Sequence, residues 1–178
     1  MALKNAPTRK AAPARSGAAS TPLGFSLWLA FIALWVIVDQ ATKAYFEARL
    51  DPWESIPVAP SFNFVLAHNR GAAFSFLADA GGWQRWLFGT LAVAVVAGLL
   101  VMLWKHNGKR LFSLAASLIC AGALGNLIDR AVHGYVIDFI DLYWRGWHWP
   151  AFNVADIAIC AGCAFFIWDE LRSVSRSR

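Results

Sequence analysis

Charge is scarce in this chain: 15% of its 178 residues are Asp, Glu, Lys or Arg, against 58% that are apolar. A soluble domain carries about 25% charged residues, so a water-solvated globule is excluded. A disordered chain is excluded too, because it could not stay solvated with so many aliphatic and aromatic side chains. Cysteine is limited to three residues, too few for a disulfide-stapled secreted scaffold. The thirteen glycines show no three-residue period, which removes a collagen-like helix. The four histidines form no H-E-x-x-H or H-x-x-E-H spacing, so a metal peptidase is not expected. No continuous basic stripe marks a nucleic-acid partner, and no internal repeat occurs. What the chain has instead is ten Trp, thirteen Phe and four long apolar runs.

Gly24 to Phe46 is apolar except for Asp39, Lys43 and some uncharged polar residues; Trp86 to Trp104 and Leu111 to Ile128 carry no charge; Pro150 to Trp168 is interrupted by Asp156 alone. Crossing about 30 Å of hydrocarbon takes roughly 20 helical residues, and a backbone unpaired in lipid is too costly to persist. The expected fold is therefore an all-α membrane protein. Four transmembrane helices, at about 24–46, 86–104, 111–131 and 150–170, would carry a small extracytoplasmic β-containing loop domain.

The basic residues orient these spans. Lys4, Arg9, Lys10 and Arg15 precede the first, Lys105, Lys109 and Arg110 lie between the second and third, and Arg172, Arg176 and Arg178 follow the fourth. In a four-helix chain these segments share one side, and positive loops stay cytoplasmic, so both termini are expected in the cytoplasm. A cleaved signal peptide is not expected, because Val38 leads into Asp-Gln-Ala-Thr-Lys rather than a small-residue cleavage site. Residues 1–23 read as a disordered basic tail, 24–172 as the membrane domain and 173–178 as a cytoplasmic tail. The outer connections fall at about 47–85 and 132–149. Ser61 to His68 alternates as a strand does. The second connection holds Tyr135, Tyr143, Trp144, Trp147 and Trp149, an aromatic density suited to the lipid–water boundary, where Trp83 and Trp86 would also anchor.

This topology brings the polar residues of the spans to the outer surface. Helix 1 ends near Asp39 and Lys43, helix 3 near Asn126, Asp129 and Arg130, and helix 4 begins near Asn153 and Asp156, with Asp138 and Asp141 in the loop between. Ionisable groups within spans cost about 2.5–3.5 kcal/mol each on insertion scales, so the clustering needs a cause. Several have a structural one. Asp39 and Lys43 can pair four apart along a helix, Arg130 can neutralise Asp129, and Asn153 with Asp156 resembles a helix cap and its first-turn acid. Asp138 has none. Two carboxylates in a poorly hydrated site cannot both ionise, so they share a proton, and one can then activate water while the other donates. That is aspartyl peptidase chemistry. An ion transporter would put its acids near the midplane, and a non-catalytic assembly factor gives Asp138 no task. Cys160-Ala-Gly-Cys163 has the C-x-x-C spacing, but within a membrane helix it reads as small-residue packing.

Five motifs carry a resemblance: Val38-Asp-Gln-Ala-Thr-Lys43, Asn69-Arg-Gly-Ala-Ala-Phe-Ser75, Gly122-Ala-Leu-Gly-Asn-Leu-Ile-Asp-Arg130, Val136-Ile-Asp-Phe-Ile140 and Phe152-Asn-Val-Ala-Asp156. In that order the chain resembles the lipoprotein signal peptidase family, signal peptidase II, from about Phe25 to Arg172. The resemblance implies a bacterial inner-membrane aspartyl endopeptidase that needs no metal or cofactor. It would remove the signal peptide from diacylglyceryl-modified prolipoproteins just before the lipidated cysteine. The family's catalytic pair maps onto Asp138 and Asp156. Asp129 is the rival, but Arg130 would keep it ionised and occupied; the N-terminus of helix 4 would make Asp156 the charged member and leave the shared proton on Asp138. Asn69, Asn126 and Asn153 are expected to hold the substrate backbone or orient a carboxylate, Arg130 to steady the site wall, and Gly71, with Ala72 and Ala73, to allow close approach of the loop. Asp39 and Lys43 would position helix 1 and contact that loop. The expected partners are lipid-modified prolipoproteins and membrane lipids, and the expected state is a monomer.

Overall fold

The computed structural model describes residues 19–71 and 81–177. Lys4, Arg9, Lys10, Arg15 and Arg178 lie outside them, as do Ala72, Ala73, Phe74 and Ser75. In chain order the elements are α1 (Pro22–Glu47), β1 (Ser55–Ala59), β2 (Phe62–Asn69), α2 (Gln84–His106), α3 (Arg110–Val132), β3 (Val136–Trp144), β4 (Trp147–His148) and α4 (Val154–Ser177).

α1, α2 and α3 are each long and apolar enough to cross a membrane. Their outward faces leave Leu27, Leu34, Ile37, Leu91 and Val101 exposed, a surface that water penalises and lipid does not. α4 does not meet the same measure, because Asp156, Asp169 and Glu170 bracket its apolar middle. The boundaries shift from those expected. α1 starts earlier, where Thr21 accepts a hydrogen bond from Gly24 N at 3.0 Å and Pro22 opens the first turn. α4 starts later, because Phe152 is drawn into pairing with β3: its N–H donates to Ile140 O at 3.1 Å, and its carbonyl accepts from Phe139 and Ile140.

α3 is the central helix, packed against the other three. Small residues on it, Ala115, Ala116, Ser117, Ala121 and Gly122, let neighbouring backbones approach; a Cβ at Gly122 would run into Ala155 O of α4. At one end of the bundle Thr21 N donates to Asn107 Oδ1 at 2.9 Å and Trp28 Nε1 to Asn107 O at 3.3 Å. The start of α1 and the α2–α3 turn thus share an end, as the charge pattern requires.

At the other end sits a four-stranded antiparallel sheet in the order β1-β2-β3-β4. The expected strand Ser61 to His68 is β2. The second outer connection, read from sequence as an interfacial aromatic segment, is β3 and β4, joined by a two-residue turn with Arg145 at φ 50° and Gly146 at φ 82°. β2 and β3 pair Asn63 with Asp141 and Ala67 with Asp138, with an irregularity between Phe64 and Ala67. Leu50, Leu66 and Ile137 form a small core under the sheet. Phe46 at the end of α1 stacks on Phe139 with ring centres 4.4 Å apart. Because β3 is clamped between β2 and the Phe152 segment, Asp138 is delivered beside the start of α4.

Candidate active site

Four acids meet where α1, α3 and α4 come up to the sheet, and they divide into two kinds. Asp39 and Asp129 are clamped by a cation. Lys43, 1% exposed, lies 2.8 Å from Asp39 Oδ2, 2.9 Å from Asp129 Oδ2 and 3.0 Å from Asn126 Oδ1, which uses all three of its N–H donors. The other carboxylate oxygens are taken as well. Asp39 Oδ1 accepts from Ala155 N at 2.8 Å, inside the first turn of α4, where helix N–H groups favour a negative charge. Asp129 Oδ1 accepts from Gln40 Nε2 at 2.8 Å, and its Oδ2 from Ile137 N at 3.1 Å. Gly125 makes room for this, since a Cβ there would meet the Asp39 carboxylate.

Asp138 and Asp156 are held by amides instead. Asn153 Nδ2 donates to Asp138 Oδ1 at 2.6 Å and Asn69 Nδ2 to Asp138 Oδ2 at 3.1 Å. Asn126 Nδ2 donates to Asp156 Oδ1 at 2.8 Å. Asn153 and Asp156 cap α4 reciprocally, with Asp156 N donating to Asn153 Oδ1 at 3.0 Å and Asn153 N to Asp156 Oδ2 at 3.2 Å. Asn153 therefore grips both acids, one by its side chain and one by its backbone. No salt bridge to either carboxylate is formed among the described residues. Burial, and after it the charge of Asp156, push the Asp138 carboxyl up to about 8. Neutral donors orient these acids without fixing their charge.

The remaining site residues complete the wall. Arg130 donates to Asn126 O at 3.2 Å and to Gly71 O at 3.0 Å, its guanidinium 5.5 Å from the Phe88 ring centre. Its Nε is buried without a hydrogen-bond partner among the described residues. Gly71 N donates to Asn69 Oδ1 at 2.9 Å, so the loop start is tied to the amide that holds Asp138. Asn69 and Asp138 line one end of a cavity of about 690 Å³ that runs over the sheet. Among the described residues no group of three or more His, Cys, Asp or Glu is placed to hold a metal ion.

All ten residues singled out from the sequence converge here, with two changes of partner. Asp129 was expected to be occupied by its neighbour Arg130; Lys43 occupies it, while Arg130 reaches across to Gly71. Asp39 and Lys43 were expected to contact the first outer loop, part of which lies outside the described residues; among the described residues they bind the start of α4 and the end of α3. Gln40 was not singled out, yet its Nε2 lies 2.8 Å from Asp129 Oδ1, 3.2 Å from Gly125 O and 3.3 Å from Asp39 Oδ2. Its place beside Asp39 in an otherwise apolar span was the available signal.

Comparison with known proteins agrees with this architecture. The family described as Signal peptidase (SPase) II matches residues 31–172. The lipoprotein signal peptidase of Cupriavidus necator is 53% identical over 95% of this chain and 97% of its own length. That of Ralstonia nicotianae is 50% identical over 99% of this chain and 100% of its own length. A bacterial membrane enzyme solved by the in meso method superposes with a TM-score of 0.78 at 30% identity, covering 86% of this chain and 92% of that one. A second, at 30% identity, gives 0.72 over 82% and 93%. Matched across most of its length by that family and by relatives about half identical to it, the chain belongs to the signal peptidase II family.

Proposed function

We propose that this protein is an aspartyl endopeptidase of the bacterial inner membrane that cuts diacylglyceryl-modified prolipoproteins just before the lipidated cysteine, with Asp138 and Asp156 as its catalytic pair. The observation that carries the reading is the contrast just described: of four buried or half-buried acids at one end of the bundle, two are locked by Lys43 and two are held by amides around a single residue, Asn153. Within the pair Asp138 is the holder of the shared proton, since its carboxyl is pushed up to about 8, and Asp156 is the charged member. Asp156 takes a proton from water as the water oxygen attacks the carbonyl carbon of the residue before the cysteine. The Asp138 proton passes to the carbonyl oxygen. Collapse of the tetrahedral intermediate breaks the C–N bond as Asp156 gives its proton to the departing cysteine nitrogen and Asp138 takes one back from a hydroxyl of the intermediate, which restores the starting pair. Asn69, Asn126, Asn153 and Arg130 orient the acids and the extended substrate, and Asp129, Asp39 and Lys43 are the frame.

In this reading α4 is the fourth span, its acids placed at its two ends, so that both termini are cytoplasmic and the dyad lies near the outer surface. Residues 24–172 are the peptidase domain, between a basic tail and a short cytoplasmic tail, and the enzyme acts as a monomer. The test is cleavage of a diacylglyceryl-modified prolipoprotein by purified protein. Asp138→Asn and Asp156→Asn are each expected to lose about 10²- to 10⁴-fold in rate, and a chelator to change nothing. Full activity in either variant overturns the pair, and loss of activity on chelation overturns the metal-free mechanism.

A further inference from the structure

A second titratable cluster lies on the sheet, and the dyad makes no use of it. Asp141, on β3, is 6% exposed. It accepts a hydrogen bond from Asn63 Nδ2 at 2.8 Å, and His148 Nδ1 lies 2.8 and 2.9 Å from its two oxygens. The ring of Tyr143, the β3 residue that pairs with His148, stacks on the imidazole with centres 5.1 Å apart. A buried carboxylate facing Nδ1 makes that nitrogen a donor. The remaining nitrogen, Nε2, is then an acceptor in the neutral ring, and it has no hydrogen-bond partner among the described residues.

If the cluster were only a staple for the β3–β4 hairpin, its histidine would be expected to be covered. The His148 side chain is instead 54% exposed, and it lines the same cavity of about 690 Å³ that holds Asp138 and Asn69. Asp138 and Asp141 both line that cavity and are three residues apart on β3, a span of about 10 Å at 3.3–3.4 Å per residue. An extended peptide whose cleaved bond lies at Asp138 therefore reaches His148 with its third residue. The direction is set by the membrane. The apolar signal-peptide side of a prolipoprotein lies among the spans, so the side that follows the cut must leave over the sheet.

We propose that His148, fixed by Asp141, accepts a backbone N–H from the substrate about three residues beyond the cleavage point, so that the cavity over the sheet binds the first residues of the mature lipoprotein in extended form. The inference rests on the proposed function, because the dyad supplies the origin from which the three residues are counted. His148 is a binding residue in this role, while Asp141 and Asn63 are positioning residues acting through it.

Two lipid-modified substrates test it: one that continues at least six residues past the cysteine, and one that ends in an amide at the cysteine itself. With the long substrate, His148→Ala is expected to raise KM roughly three- to tenfold at unchanged kcat, the size of one lost hydrogen bond. With the short substrate KM should not change. His148→Gln, whose amide oxygen can accept the same bond, should recover most of the loss. An unchanged KM for the long substrate overturns the proposal. So does an equal rise for both substrates accompanied by a lower unfolding temperature, which would mark a hairpin staple. Asp138→Asn in the same assay separates the two readings, since its retained activity would count against the dyad, whatever His148 does.

Discussion

Asp39 and Asp129 share one polar knot with Asp138 and Asp156, yet the two pairs meet different kinds of partner. The first pair surrounds a buried lysine that gives it two of its three donors, the third going to Asn126, and its oxygens also take N–H groups from α4, β3 and Gln40. Such a group joins three helices to the sheet. The second pair meets neutral amides, which tolerate either protonation state and still fix geometry. A carboxylate's environment, more than its depth, distinguishes the two pairs here.

The comparison breaks most severely at Lys43. Lys43→Met leaves two buried carboxylates without their cation and is expected to destabilise the fold by about 3–5 kcal/mol, read as a large fall in unfolding temperature in detergent; an unchanged temperature would dissolve the distinction between the pairs. Gln40→Leu removes a donor to Asp129 and should cost about 1.5–3 kcal/mol in the same measurement, with the pH dependence of turnover left as it was.

The second pair should respond to pH instead. In the proposed mechanism Asp138 works protonated, so turnover is expected to fall about tenfold for each pH unit above about 8. Stability carries the same sign. Between the ordinary value of 3.8 and about 8 the folded chain holds a proton that the unfolded chain has lost, so Asp138 makes the protein less stable as pH rises through that window. A pH–rate profile that is flat to pH 10 would count against Asp138 as the proton holder. Smallest of all, Thr21→Ala at the far end of the bundle removes the α1 cap for about 1 kcal/mol and should leave turnover untouched.

Much of this was legible in the sequence because polar residues are so few. In spans this apolar, Asp39, Lys43, Asn126, Asp129, Arg130, Asn153 and Asp156 stand out individually, and the alternation of direction carries them to one end. The i,i+4 pairing of Asp39 with Lys43 follows from helix geometry alone. The Lys43 link to Asp129 does not. Adjacent residues such as Asp129 and Arg130 point about 100° apart on a helix, so adjacency in sequence favoured the wrong partner, and the right one came from another helix. β3 was hidden for a different reason. Ile137 and Phe139 pack toward α1 while Asp138 meets α4, so both faces are covered and the strand reads as a nearly continuous apolar run. The start of α4 was misplaced by the same pairing, which holds Phe152 extended when its composition would suit a helix.

The central claim, that Asp138 serves chemistry at the expense of the fold while Asp129 serves the fold, can be tested by two readings on one variant. For Asp138→Asn at pH 8, unfolding temperature and cleavage of a diacylglyceryl-modified prolipoprotein should be measured on the same preparation. The account predicts an unfolding temperature at or above that of the parent, with a rate about 10²- to 10⁴-fold lower. A rate within a few-fold of the parent, or a temperature drop as large as that of Lys43→Met, would contradict it.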